Sequence, residues 1–201
     1  MGNGKMRFRG SMVCGLVMVA ACATSAGVEA AGGMNGASVN ASATLMTDAN
    51  VAAVAQASNM DEIQTSQAAL QRSQNAQVRQ FAQMMIAEHT AVDREMMQML
   101  HAKNMTPQPN AAAQAAMQAT RATVANLNQR SGMDFDRAYM MHQVQAHRWT
   151  LTALDRSLIP STRDLEMKAF LATRVRPGVA MHLESAQRIS ASMGGSAGSG
   201  N

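Results

Sequence analysis

Residues 76–102 read AQVRQFAQMMIAEHTAVDREMMQMLHA, and the spacing inside this stretch decides the fold. Val78, Ala82, Met85, His89, Val92, Met96 and Met99 follow one another at alternating steps of four and three, the period of a helix that buries one stripe. His89 interrupts that stripe midway. Further along, Met140, Val144, His147, Leu151, Leu154 and Leu158 repeat the pattern, and so do Val175, Val179, His182, Ala186 and Ile189. Three histidines therefore occupy positions where an apolar residue is expected, each on a different helix. Ala, Gln, Met, Leu and Arg abound and runs of β-branched residues are missing, so the chain is all-α.

Punctuation sets the helix limits. The first helix is expected over 48–72 with Thr47 or Asp48 as its cap, the second over 76–103 before Asn104 and the Thr106-Pro107-Gln108-Pro109 breaker. Asn110 caps an Ala-rich segment reaching Gln129, Asp134 caps one reaching Leu158, and the last helix runs over 162–192. Pro177 falls inside that last helix, which predicts a kink near Thr173 and Arg174. The short link between the first two helices makes them antiparallel neighbours. The rest completes an up-and-down four-helix bundle over 47–192, with the Ala-rich segment as an extra outer helix or as the first half of a long bent one.

The ends of the chain read differently. Lys5, Arg7 and Arg9 precede an apolar run from Met12 to Ala23 that is too short to span a bilayer, so residues 1–22 are expected to be an export signal. Val19-Ala20-Ala21-Cys22 resembles the cleavage motif of lipoprotein precursors, which would make Cys22 the lipidated residue and anchor the chain to a membrane. Ordinary signal cleavage after a small residue is the other reading. Either way the destination is the periplasm or the bacterial envelope. Residues 23–46 are rich in Ala, Gly, Ser and Asn and form a flexible linker, and 193–201 form a disordered tail. Cys14 lies inside the apolar run and Cys22 at its border, so the exported chain holds one lipidated cysteine or none and no internal disulfide staples it. The calculated pI of 9.7 suggests nucleic acid, but setting aside Lys5, Arg7 and Arg9 leaves 14 basic residues against 13 acidic. With one Trp, one Tyr and four Phe, a nucleic-acid partner is excluded, and no protein partner is indicated.

Five stretches in order resemble an exported ferritin-like family, the domain of unknown function 4142. They are Asp61-Glu62-Ile63, then Val78 through Thr90, then Phe135-Asp136-Arg137-Ala138-Tyr139 with His147 beyond it, then Lys168 through Ala172, and last Pro177 with His182-Leu183. The resemblance covers residues 48–189 and implies a four-helix ferritin-like bundle in the periplasm or on an envelope membrane, with no established reaction. Family members usually carry Asp before the histidine of the second helix; Glu88 stands there and keeps the charge. Ferritin-like di-iron proteins use a Glu-x-x-His pair on each of two helices. No such pair occurs here, so a dinuclear oxidase is disfavoured.

The candidate ligands are His89, His147 and His182, with Glu62 or Glu88 as carboxylate, a set suited to one Zn, Fe or Mn ion. The competing reading makes the same imidazoles satisfied polar groups in a metal-free core. His142 faces with Phe135 and Tyr139 rather than with His147, because five residues turn the helix about 140° away from a shared face. His101 lies by a helix C-terminus, where the dipole favours it. Sixteen methionines fall outside the leader, and Met84, Met85, Met96, Met97, Met99, Met140 and Met141 cluster on two helices. Thioethers bind Cu(I), which makes copper buffering a third reading; flexible filling of an Ala-rich core is the plainer account. There is no Gly-x-Ser-x-Gly turn, phosphate-cradling loop or free thiol in the exported chain, so the protein reads as non-catalytic.

Overall fold

The structure, a computed structural model, describes residues 46–195; the expected signal, Cys22 and nearly all of the linker lie outside the described residues. Five helices make up the described chain. Helix α1 is Asp48–Arg72, α2 is Ala76–Ala102 and α3 is Ala111–Asn128. Helix α4 runs from Gly132–Ala153 through a π turn at Leu154–Leu158 to Ile159–Ser161, and α5 from Leu165–Phe170 through a π turn at Leu171–Val175 to Arg176–Gly195.

Local chemistry explains these limits. Thr47 and Asn50 form a reciprocal capping box at the start of α1, Asn75 accepts from the N–H groups of Gln77 and Val78, and Asn110 accepts from that of Ala113. Helix α5 starts at Leu165 rather than at 162, because Asp164 caps it by accepting from the Met167 N–H at 2.9 Å. Asp134 lies in the first turn of α4, where a carboxylate favours the helix dipole, and the cap position itself is Ser131. Helix α5 continues through Gly195 with Met193 buried, and the rest of the expected tail, 196–201, lies outside the described residues.

Both π turns precede a proline by two positions. Ile159 donates to the Leu154 carbonyl and Arg176 to that of Leu171, each five residues back, and Pro160 and Pro177 follow directly. A proline lacks the N–H for the carbonyl four residues back and its ring collides with it; widening the turn just before the ring relieves that collision without ending the helix. The kink expected near Thr173 and Arg174 therefore takes the form of a widened turn.

Side-chain ties fix the helix directions. Asn50 donates to the Gln108 carbonyl at 2.8 Å near the start of α1, while Arg72 at its end donates to the Arg130 carbonyl at 2.9 Å. Helix α3 thus runs parallel to α1 and lies along it through the narrow seam Ala113, Thr120 and Leu127. Helix α4 returns antiparallel, with Tyr139 opposite Ser66 and His142 opposite Asp61. The Asp48 carboxylate accepts from the N–H groups of Arg163 and Asp164 at 2.7 and 3.0 Å, which starts α5 beside the start of α1. Directions alternate along all five helices. Among α1, α2, α4 and α5, α2 and α4 run the same way, with α3 as the return between them.

The interior is layered. One apolar cluster gathers Val51, Val54, Met96, Leu100, Leu154 and Met167; a second gathers Val78, Phe81, Met85, Phe135, Tyr139 and Met140. Between them lies a buried polar band: Asn59, Glu62, Thr65 and Ser66 from α1, His89 from α2, Gln143 and His147 from α4, and His182 from α5. Among the described residues no helix is long and apolar enough to cross a membrane.

Candidate metal centre

The seams that bury each helix also aim its histidine. On α2 the buried residues Val78, Ala82, Met85 and Met96 hold His89 inward, and on α5 Val179 and Ala186 do the same for His182. On α4 the buried seam is Phe135, Tyr139, Met140, Gln143 and His147, with Val144 and Leu151 only half-buried. The three imidazoles meet. His89 and His182 have ring centres 5.3 Å apart, His147 and His182 5.4 Å, and His89 and His147 6.0 Å. One ring nitrogen from each lies within 4.8 Å of the others.

Each ring spends its other nitrogen on an outer partner. His147 Nδ1 donates to the Gln143 carbonyl at 2.8 Å, which only accepts, so its tautomer is settled. His89 Nδ1 faces Asn59 Oδ1 at 3.0 Å and His182 Nε2 faces Glu88 Oε2 at 2.9 Å. Those contacts leave His89 Nε2, His147 Nε2 and His182 Nδ1 buried with no hydrogen-bond partner. Burial, followed by the neighbouring imidazoles, holds His89 down at about 3 and His147 at about 4. At neutral pH both therefore present a lone pair rather than a proton.

The carboxylates stand around the imidazoles rather than among them. Glu88 binds the outer nitrogen of His182, and Glu62 Oε1 is 3.4 Å from His147 Nδ1. Glu62 is buried, and burial together with the Asp61 charge pushes its carboxyl up to about 8, so it is protonated at neutral pH. Its Oε2 has no partner. A cavity of about 30 Å³ adjoins the group, lined by Glu62, His89 and His147, by Ser58, Asn59 and Thr150, and by a larger set of apolar side chains.

His142 does not join the cluster. It points to the other side of α4 and pairs with Asp61 at 2.8 Å. Burial pulls its pKa down, but the hydrogen bond and charge of Asp61 outweigh it and the net movement is up; Asp61 is held down in turn. His101 is exposed at the end of α2. The methionines divide between the two apolar layers, Met96 in one and Met85 with Met140 in the other, while Met97 and Met141 are exposed.

Asn59 escaped the reading of the sequence. It fixes His89 and also faces Asp93, whose carboxyl burial raises against the pull of the Asn59 amide. A signal existed: Asn59, Glu62 and Ser66 step by three and four along a helix whose first turns are Val51, Ala52 and Val54, so a polar stripe continues an apolar one.

Fold and site together define an all-α bundle protein with a buried three-imidazole cluster in a polar layer. The chain belongs to the family described as Domain of unknown function (DUF4142), which matches residues 34–189. No curated protein and no solved structure matches it.

Proposed function

We propose that this is an exported, non-catalytic, ferritin-like bundle protein that binds one transition-metal ion through His89, His147 and His182 and acts in metal handling or envelope stress. One observation carries the metal reading: three buried imidazoles, each tied outward through one nitrogen and unpartnered at the other, bring one nitrogen apiece within 4.8 Å of one another. Buried polar atoms without partners are costly, about 1–3 kcal/mol each, and outer-nitrogen hydrogen bonds are how ligating histidines are oriented. A tetrahedral ion at about 2.0–2.1 Å sets its ligands about 3.4 Å apart, so small side-chain rotations from the present spacing suffice. Neutral nitrogen donors suit Zn or Fe, with Mn also admitted if Glu62 turns its free oxygen inward.

The ferritin-like reading is supported by α2 and α4 running parallel across a long return, the arrangement of bundles with one crossover. Export is supported by Lys5, Arg7 and Arg9 ahead of the apolar run, with Cys22 as the candidate membrane attachment. Labelling with a radioactive fatty acid, set against a Cys22→Ser control, tests that attachment. Elemental analysis and competition titration of the purified protein test the metal site: the expected result is one equivalent of Zn, Fe or Mn, lost in His89→Ala and His182→Ala. Absence of stoichiometric metal under all loading conditions overturns it in favour of a packed polar core.

A further inference from the structure

The cavity beside the imidazoles has an unusual wall. Its polar lining is Glu62, His89 and His147 with Ser58, Asn59 and Thr150; its apolar lining includes Leu154, Leu158, Leu171 and Val175. The first two of those belong to the π turn of α4 and the last two to that of α5. Two helix irregularities on different elements therefore border one void, and π turns of this kind recur where a helix shapes a functional site. Protein interiors are otherwise packed without voids much larger than a water molecule, and a space of about 30 Å³ admits about two atoms of water size.

The chemistry of the wall narrows what fits. Within the polar lining two imidazole nitrogens and the Oε2 of Glu62 have no partner; Ser58, Asn59 and Thr150 carry no charge, and the Leu and Val side chains offer a charged group nothing. Three protein nitrogens leave a metal ion short of a full coordination sphere, the hallmark of a site with an open position. Resting on the metal reading above, we propose that this open position faces the cavity and takes a neutral diatomic molecule of the nitric oxide or dioxygen class, held end-on against the π-turn walls. Binding is an addition to the metal with release of any water there, and no net oxidation or reduction is required.

Nitric oxide is the probe. The full-length protein is loaded anaerobically with Fe(II), its iron content is measured, and nitric oxide is titrated in while the electron paramagnetic resonance signal of an iron nitrosyl is followed. The signal is expected in the unaltered protein. Leu154→Phe and the half-buried Val175→Phe fill the cavity from different helices and are expected to keep iron and helicity while binding nitric oxide about tenfold more weakly or worse. Leu158→Ala, which enlarges the space, is expected to keep nitric oxide and to admit azide, which the unaltered protein refuses. Stoichiometric iron with no nitrosyl signal overturns the inference and leaves the metal reading standing. Equal nitric oxide affinity in a folded, iron-loaded filled variant, or tight azide binding by the unaltered protein, places the open position elsewhere and overturns it as well. Failure to hold iron, together with failure to hold Zn or Mn, removes both.

Discussion

Two kinds of inward-facing histidine share the middle of this bundle, His142 half-buried and the other three buried. His142 and Asp61 form a closed pair: each supplies what the other lacks, and their mutual charge survives burial. His89, His147 and His182 form an open group. Each gives one nitrogen to an outer acceptor and keeps the other toward its neighbours, where no donor answers it. His142 and His147 are five residues apart on one helix, so the difference lies in what α1 and α5 place opposite them. A satisfied histidine specifies packing; an unsatisfied trio is the observation on which the proposed metal site rests.

The strongest way to break the comparison is to remove one ring from each group. His147→Ala should lower metal affinity by well over about 100-fold, since the loss of an outer partner alone typically costs 10–100-fold. His142→Ala should leave stoichiometry at one and affinity nearly unchanged. Competition titration with a chelator checks both. If the two variants lose metal equally, the open and closed groups are one network and the distinction fails.

Metal should also act on stability. At a free concentration about 100 times its dissociation constant, an ion that binds only the folded chain adds about 2.7 kcal/mol. For a domain of this size that is a rise in Tm of roughly 5–11 °C. The rise should vanish in His89→Ala and persist in His142→Ala, as thermal melts followed by circular dichroism will show.

A third test concerns the outer ring of partners. Asn59→Ala removes the acceptor that orients His89 and should weaken metal binding about 10–100-fold while leaving all three imidazoles in place. Loss of the Asn59 amide should at the same time let the Asp93 carboxyl rise further, because that amide now opposes the burial effect.

Acid sharpens the contrast, because the two groups respond with opposite signs. His89 and His147 have folded pKa values of about 3 and about 4 against an ordinary 6.5, so the unfolded chain binds their protons first. Their neutral burial is fully tolerated above pH 6.5, and stability falls with acid between 6.5 and those values, each contributing up to about 1.4 kcal/mol per pH unit. His142 is raised, so its pairing stabilises fully below pH 6.5 and is lost as pH climbs through its folded value. Glu62, raised to about 8 against an ordinary 4.5, gains stability with acid over the same window and offsets about one of the two imidazoles. Metal-free protein should therefore weaken only modestly on acidification from pH 7 to 5, and His142→Ala should weaken more steeply. Urea titrations at several pH values give the slopes.

Helical limits were legible because caps and breakers act locally. Thr47 and Asn110 sit where side-chain oxygens meet unpaired N–H groups whatever the tertiary structure. The three inward histidines were legible for a related reason, since helical period alone says which residues share a face. What each nitrogen meets is set by other helices, and no spacing within α2 announces Asn59 on α1 or Glu88 beside His182. The π turns were half visible: Pro177 marked the place, but whether a helix breaks, bends or widens there depends on the packing that holds it together on both sides.

The smallest effect separates stability from ligation inside the polar band itself. Tyr139 and Ser66 share a hydrogen bond of 2.8 Å, one turn of α1 beyond Glu62 and against the second apolar layer. Tyr139→Phe keeps the ring packed against Phe81 and Phe135 and removes only the hydroxyl, leaving Ser66 without that partner. The cost should be about 1 kcal/mol, the net worth of one buried hydrogen bond, and metal affinity should not move because no ligand nitrogen depends on it. A shift in metal affinity comparable to that of Asn59→Ala would mean that the band transmits strain along α1 to Glu62, and that the imidazoles are positioned by the whole layer rather than by their immediate acceptors.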